Sequence, residues 1–193
     1  MEIKPFDSAN IDTVAQMATE MLCKEIALSA PFTSQLVRNW FYTPGLALQA
    51  CDHDGLQAVA FAAMPHDTCN NDDWIDGLLR GNDDREKQKI LNCVAHMRRT
   101  DEQMLKLMPP HAAKFSLFLS RKPGFGKPLM NALIDMLQRN GIKWIYLLTD
   151  THCSWQFFSH NAFELVKVLH APHNFSDDPN YRCLMFRKLI NEN

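Results

Sequence analysis

The chain has 193 residues, 46% of them hydrophobic and 22% charged, with a formal net charge of −2. That length suits one domain, 1–193, with a sizeable core, and the near-neutral charge excludes the basic footprint of a nucleic-acid binder. No apolar run approaches the roughly 20 residues needed to span a bilayer, which excludes a membrane helix.

Residues 1–6 read as a short edge strand, where Pro5 is tolerated because no ladder N–H is needed. The first ten residues, MEIKPFDSAN, show no long apolar h-region, and the six scattered cysteines without a CxxC pair fit a cytosolic protein with free thiols, so a cytoplasmic location is expected. Asp7, Ser8 and Asn10 form a capping region. Ile11, Val14, Ala15, Ala18, Met21 and Leu22 then recur at helical spacing, which predicts a helix to about residue 28. Pro31 opens a second short helix through Leu36, Val37 and Trp40, and residues 42–45 form a turn. Residues 46–51 and 57–64 are two strands joined through Asp54-Gly55, a strong hairpin signal.

Residues 65–110 are a helical segment between two strand regions. Trp74, Ile75, Leu78 and Leu79 mark one or two helical turns. Ile90, Leu91, Val94, Met97, Leu105 and Met108 mark an amphipathic helix or a broken pair, ended by Pro109-Pro110. Residues 115–119 are strand-like and lead into a helix that runs to about residue 140. Residues 143–149 form a buried strand, 153–161 a short helix, and 163–169 and 182–189 the last two strands around a polar loop at 170–181.

Six scattered cysteines without a CxxC pair point to free thiols, and eight histidines show no metal-binding spacing, so no metal is expected. The stretch KFSLFLSRKPGFGKPL, residues 114–129, carries more chemistry. It joins a strand, a basic glycine-containing turn and a helix N-terminus. The first N–H groups of a helix lack partners, and its dipole favours negative charge there. Gly124 and Gly126 would let a pyrophosphate approach the backbone, with Phe125 between them and Arg121, Lys122 and Lys127 supplying positive charge. The same residues also fit an ordinary glycine turn before a helix.

The element order, with Arg121-Lys122-Pro123-Gly124-Phe125-Gly126 between strand and helix and Phe158-Ser159-His160-Asn161-Ala162-Phe163 after the next strand, resembles the GNAT superfamily of acyl-CoA N-acyltransferases. The first motif matches the superfamily pattern Gln/Arg-x-x-Gly-x-Gly/Ala. The second resembles aromatic-x-x-Gly-Phe, with Ala162 in place of the common glycine. Phe158 stands where many members have a tyrosine that protonates the departing thiolate, so it would contact the coenzyme without donating a proton. The resemblance implies an α/β fold with a mixed, mostly antiparallel central sheet. Its fourth and fifth strands would be parallel and splayed, with a helical insertion at 65–110. It also implies acetyl-CoA as co-substrate, the pantetheine arm pairing with the backbone of Phe118 and Leu119. The implied acceptor is an amine of a small molecule or peptide, and the implied chemistry is direct acetyl transfer. A homodimer is compatible with it. The alternative is an acyl-CoA-binding sensor or partner-binding protein with weak catalysis.

Catalytic candidates follow from position. Cys153 follows a strand end and could act as a thiol acceptor or proton donor, or simply fill space. His111, before the fourth strand, leads the imidazoles His111, His152 and His160 as a base for an ammonium substrate. Asp150 could hold that ammonium or cap the following helix. Trp40, Phe41 and Trp74 could line an acceptor pocket or belong to the core.

Overall fold

Alternation along two adjacent strands sets the two faces of the sheet. In the computed structural model, β2 (Ala47–Asp52) and β3 (Gly55–Ala63) form the expected hairpin, closed at Asp52 and Gly55. Ala58, Ala60 and Ala62 point to one face, where their small side chains leave a flat floor for a helix. Val59 and Phe61 point to the other. The structure describes residues 1–22, 29–65, 67, 73–170 and 178–190.

β1 (Glu2–Pro5) pairs antiparallel with β2 at the sheet edge, where its proline costs no ladder bond. α1 (Ile11–Leu22) buries Ile11, Val14, Ala15, Met17 and Ala18 against Val59 and Phe61. The predicted continuation of this helix lies outside the described residues. α2 (Ala30–Leu36) carries Pro31 in its first turn and runs into a wider π turn, Val37–Phe41.

α3 (Asp73–Arg80) and α4 (Asp84–Leu105) follow β3. The second predicted segment is one continuous helix. Asp83 caps it by accepting from the Glu86 N–H at 2.9 Å, and Asp84 and Glu86 sit at the positive end of its dipole. Phe32 and Leu36 of α2 pack with Ile75, Ile90, Cys93 and Val94, which joins α2, α3 and α4 in one apolar cluster.

β4 (Ala112–Ser120) begins three residues before the predicted strand, because Ala112, Ala113 and Lys114 pair with the next strand of the sheet. α5 (Gly126–Arg139) packs Leu129, Met130, Leu133 and Leu137 over the β3 alanines. Fully burying a side chain such as Leu133 contributes about 1.5–3 kcal/mol. β5 (Trp144–Asp150), α6 (Gln156–His160), β6 (Glu164–His170) and β7 (Arg182–Leu189) complete the chain. Most of the polar loop before β7, residues 171–177, lies outside the described residues.

The seven strands form one sheet in the order β1-β2-β3-β4-β5-β7-β6. All neighbours are antiparallel except β4 and β5, which are parallel as expected. Their pairing runs from Ala112 opposite Trp144 to Phe115 opposite Leu147 and then stops, although both strands continue. The cause lies on the other edge of β4. Phe61 pairs with Leu117 and Ala62 with Phe115, so Ser116 is the extra residue of a bulge. A bulge bends its strand, and this one sits where β4 parts from β5. The Ser116 hydroxyl donates to the Phe41 carbonyl at 2.6 Å, tying the bend to the turn after α2.

Candidate active site

The parting of β4 and β5 opens a cavity of about 750 Å³. Its floor is the C-terminal half of β4 and the end of β5. One end meets the glycine turn. The other is walled by α1, α2 and α4 through Met21, Leu36, Trp40, Phe41, Met97 and Met104, among others. The inserted segment and the first helices thus face the gap.

Backbone direction follows from one bond. The Arg121 N–H donates to the Gln57 carbonyl at 3.0 Å, so Arg121 faces β3. Strand alternation then turns the Leu119 backbone toward β3 and the backbone groups of Phe118 and Ser120 toward the gap. An extended ligand arm would therefore meet Phe118 and Ser120. Leu119, expected on that track, is turned away and its side chain is buried with α1.

The turn after β4 is held from outside. Lys122 pairs with Asp52 and, at 3.2 Å, with Asp54 on the β2–β3 turn. Its hydrogen bond holds the Asp52 carboxyl down at about 2, below the usual 3.8. Arg121 donates from Nε to Gln57 Oε1 at 3.2 Å and from its terminal nitrogen to the Leu56 carbonyl. Both charges are engaged by the hairpin. Lys127 is exposed, with no ion pair among the described residues.

Gly124 has φ +85°, a conformation glycine adopts without penalty. Gly126 opens α5, and a Cβ there would lie 3.6 Å from the Phe157 ring and 3.7 Å from Phe118. Phe125 takes the N-cap position without a side-chain hydrogen bond, so the helix start is uncapped, and its ring is buried against α5. Pro128 has no N–H to satisfy. The amides of Gly126 and Lys127 find no acceptor among the described residues. A strand edge with free backbone groups therefore leads to a helix N-terminus with free donors. That arrangement fits an elongated ligand ending in phosphates.

The α4 face of the cleft is polar. Lys114 is 5% exposed and its Nζ lies 2.7 Å from Asp101 of α4. Asp150 ends β5. Its Oδ1 accepts from the N–H groups of His152 at 2.9 Å and Cys153 at 3.0 Å, and the Tyr181 hydroxyl donates to its Oδ2 at 3.4 Å. Burial, then Cys183 and Asp150, pushes the Tyr181 phenol well above its ordinary value. Burial also pushes the Cys183 thiol up to about 11. The His96 imidazole lies 3.2 Å from that thiol and is shifted down by burial. At neutral pH these groups are a phenol, a thiol and an uncharged imidazole.

The other candidates separate clearly. His111 is exposed at the N-terminal start of β4, with φ +62°, and its carbonyl accepts from the Lys143 N–H at 2.8 Å. About seven residues of strand, on the order of 23 Å, separate it from Phe118. It is at the paired end of β4, not the parted end, so it does not reach the cleft. His160 is exposed at the end of α6. His152 does line the cleft, with Nε2 2.7 Å from Asp178.

Cys153 lines the cleft too, but burial, reinforced by Asp150, pushes its thiol up to about 12. Phe158 lines it with Phe157, packed 6.0 Å from Phe118 and 5.7 Å from Phe163. Trp40 and Phe41 face the cavity, whereas Trp74 stacks on Phe32 at 6.1 Å in the α2–α4 cluster. Ser116, the Lys114–Asp101 pair and Tyr181 were missed from sequence. A serine inside an apolar strand was the one available signal for the bulge.

No family model and no curated protein matches the sequence. Solved structures do match. Arylalkylamine N-acetyltransferase 2 from Aedes aegypti is 16% identical with a TM-score of 0.64, over 98% of this chain and 99% of its own. An aminoglycoside 6'-N-acetyltransferase complexed with coenzyme A is 14% identical with a TM-score of 0.62, over 100% of this chain and 99% of its own. The ribosomal-protein-S18-alanine N-acetyltransferase from Escherichia coli is 10% identical with a TM-score of 0.55, over 100% and 95%. This chain has the fold of the GNAT N-acetyltransferases.

Proposed function

We propose that the protein transfers an acetyl group from acetyl-CoA to an amine by direct attack. The observation that carries this reading is the bulge-driven gap between β4 and β5, whose free β4 backbone leads to the uncapped start of α5. The pantetheine arm would pair with Phe118 and Ser120, and the phosphates would meet the amides of Gly126 and Lys127 at the glycine turn. The neighbour complexed with coenzyme A supports that use of the fold.

Direct transfer suits the chemistry of the cleft. The amine nitrogen bonds to the acyl carbon, and the carbon–sulfur bond breaks. The Phe118 N–H, turned to the gap, would stabilise the oxyanion. The ammonium gives up one proton to water or to His152 before attack. After attack the nitrogen sheds a second proton, which the departing sulfur takes up directly or through water, leaving as a thiol. Cys153 is too weak an acid to form a nucleophilic thiolate at neutral pH. Much of the rate would come from placing two reactants side by side.

A second reading has its own observation. Phe158 presents a phenyl ring where many superfamily members have a phenol, which favours a coenzyme-binding protein with weak turnover. Thiol release from acetyl-CoA, measured with a panel of amines, separates the two. Amine-dependent release supports transfer. Saturable coenzyme binding without release on any amine overturns transfer in favour of the binder.

A further inference from the structure

We infer that the acceptor is a primary monoamine with an aryl or branched alkyl tail, its ammonium held by Asp150. This rests on the acyl-transfer reading and concerns the half of the cleft that β4 and the glycine turn leave to the second substrate.

Charge counting carries the first part. On the α4 face the cavity presents Asp101, Lys114 and Asp150. Lys114 and Asp101 cancel one another at 2.7 Å. Asp150 has two backbone N–H groups on one oxygen and the Tyr181 hydroxyl on the other, and meets no cation among the described residues. Alternation along β5 sets it on the face of Tyr146 and Leu148, toward α4 and away from α5. One surplus carboxylate matches one ammonium. A polyamine or polycationic sugar needs several, and a free amino acid needs an uncommitted cation for its carboxylate. Lys127 lines the cavity without an ion pair among the described residues, but it sits at the glycine-turn end that the coenzyme phosphates would take.

The opposite wall carries the second part. Met21, Leu22, Leu36, Trp40 and Phe41 offer aromatic faces and an adaptable thioether. A hydroxylated or charged tail would lose its hydration against these side chains without gaining hydrogen bonds from them. An aryl or branched alkyl tail loses nothing of the kind. The ammonium end then lies at the parted end of β5, across the gap from the backbone of Phe118.

The test is calorimetric binding of phenethylamine, 2-phenylethanol and spermidine to the full chain saturated with coenzyme A, repeated with Asp150→Asn. Asparagine keeps an oxygen for the His152 and Cys153 amides, so the turn stands while the charge goes. The parent should bind phenethylamine more tightly than spermidine. The variant should lose about tenfold or more for phenethylamine and stay within about twofold for 2-phenylethanol. Trp40→Ser, on the other wall, should weaken both aryl probes together, and it keeps the test decisive if Asp150→Asn does not fold. Preference for spermidine, undiminished phenethylamine binding by Asp150→Asn, or undiminished aryl binding by Trp40→Ser overturns the inference. The coenzyme-induced rise in Tm reads the underlying proposal separately: its absence in the parent counts against acyl-CoA binding, whereas its presence with any of those three results counts against the acceptor class alone.

Discussion

Ala162 holds a φ of +62°, in the left-handed region where the resembling superfamily element commonly has glycine. An L-residue there costs about 1–2 kcal/mol. Glycine removes that strain but adds unfolded-state freedom of about 0.5–1 kcal/mol. Ala162→Gly should therefore raise stability by up to about 1.5 kcal/mol, a Tm rise of up to about 3–6 °C in a chain of this size. A lower Tm would mean that the strain is absent. Cys153 yields a second prediction. With its thiol pushed up to about 12, it is almost wholly protonated at pH 8. Cys153→Ala should leave the transfer rate within about threefold, and iodoacetamide should modify Cys153 slowly in the parent. A trapped acyl-cysteine would contradict direct transfer.

Elements were legible where periodicity was strong. α1, α4, α5 and the β2–β3 hairpin all followed from spacing, capping residues and the Asp54-Gly55 pair. The bulge in β4 was not legible. AAKFSLFLS is apolar nearly throughout, so Ser116 alone hints at the extra residue, and a lone serine in a strand does not by itself mark a bulge. The Lys114–Asp101 pair joins a strand to a separate helix, and neither residue's local pattern announces the other. His111 was misplaced for a simpler reason. It precedes β4, whereas ligands of parallel strands sit beyond their carboxyl ends, where Asp150, His152 and Cys153 follow β5.

The clamp between the β2–β3 turn and the glycine turn was hidden as well, because its partners lie far apart in sequence. It gives a titration prediction. Lys122 lowers the Asp52 pKa, so the stabilising ion pair is fully present above the ordinary value of 3.8 and is lost as pH falls through about 2. In Lys122→Met, the Asp52 carboxyl should titrate upward toward 3.8 by NMR, and the glycine turn should lose order. A carboxyl that still titrates near 2 in the variant would remove Lys122 as the cause.

At the scale of the molecule, one extra residue in β4 shapes the site. The bulge at Ser116 lets one strand serve two partners: β5 before it and an open cleft after it. Helices on the two faces divide the cleft's tasks. α5 on one face brings the uncapped N-terminus and glycine turn to one end. α1, α2 and α4 on the other supply apolar walls and the polar face with Asp150. The central claim is that acyl-CoA occupies this path with its phosphates at Gly124 to Lys127.

The direct measurement is the Tm of the full chain with and without acetyl-CoA, for the parent and for Gly124→Glu, each against its own unliganded value. At a hundredfold excess over Kd, coenzyme should stabilise the parent by about 2.7 kcal/mol. That is roughly 5–10 °C in a domain of this size. Glutamate at Gly124 puts a negative charge and a strained residue beside the phosphates, so the variant should show almost no shift. No shift in the parent, or an equal shift in Gly124→Glu, would contradict the site.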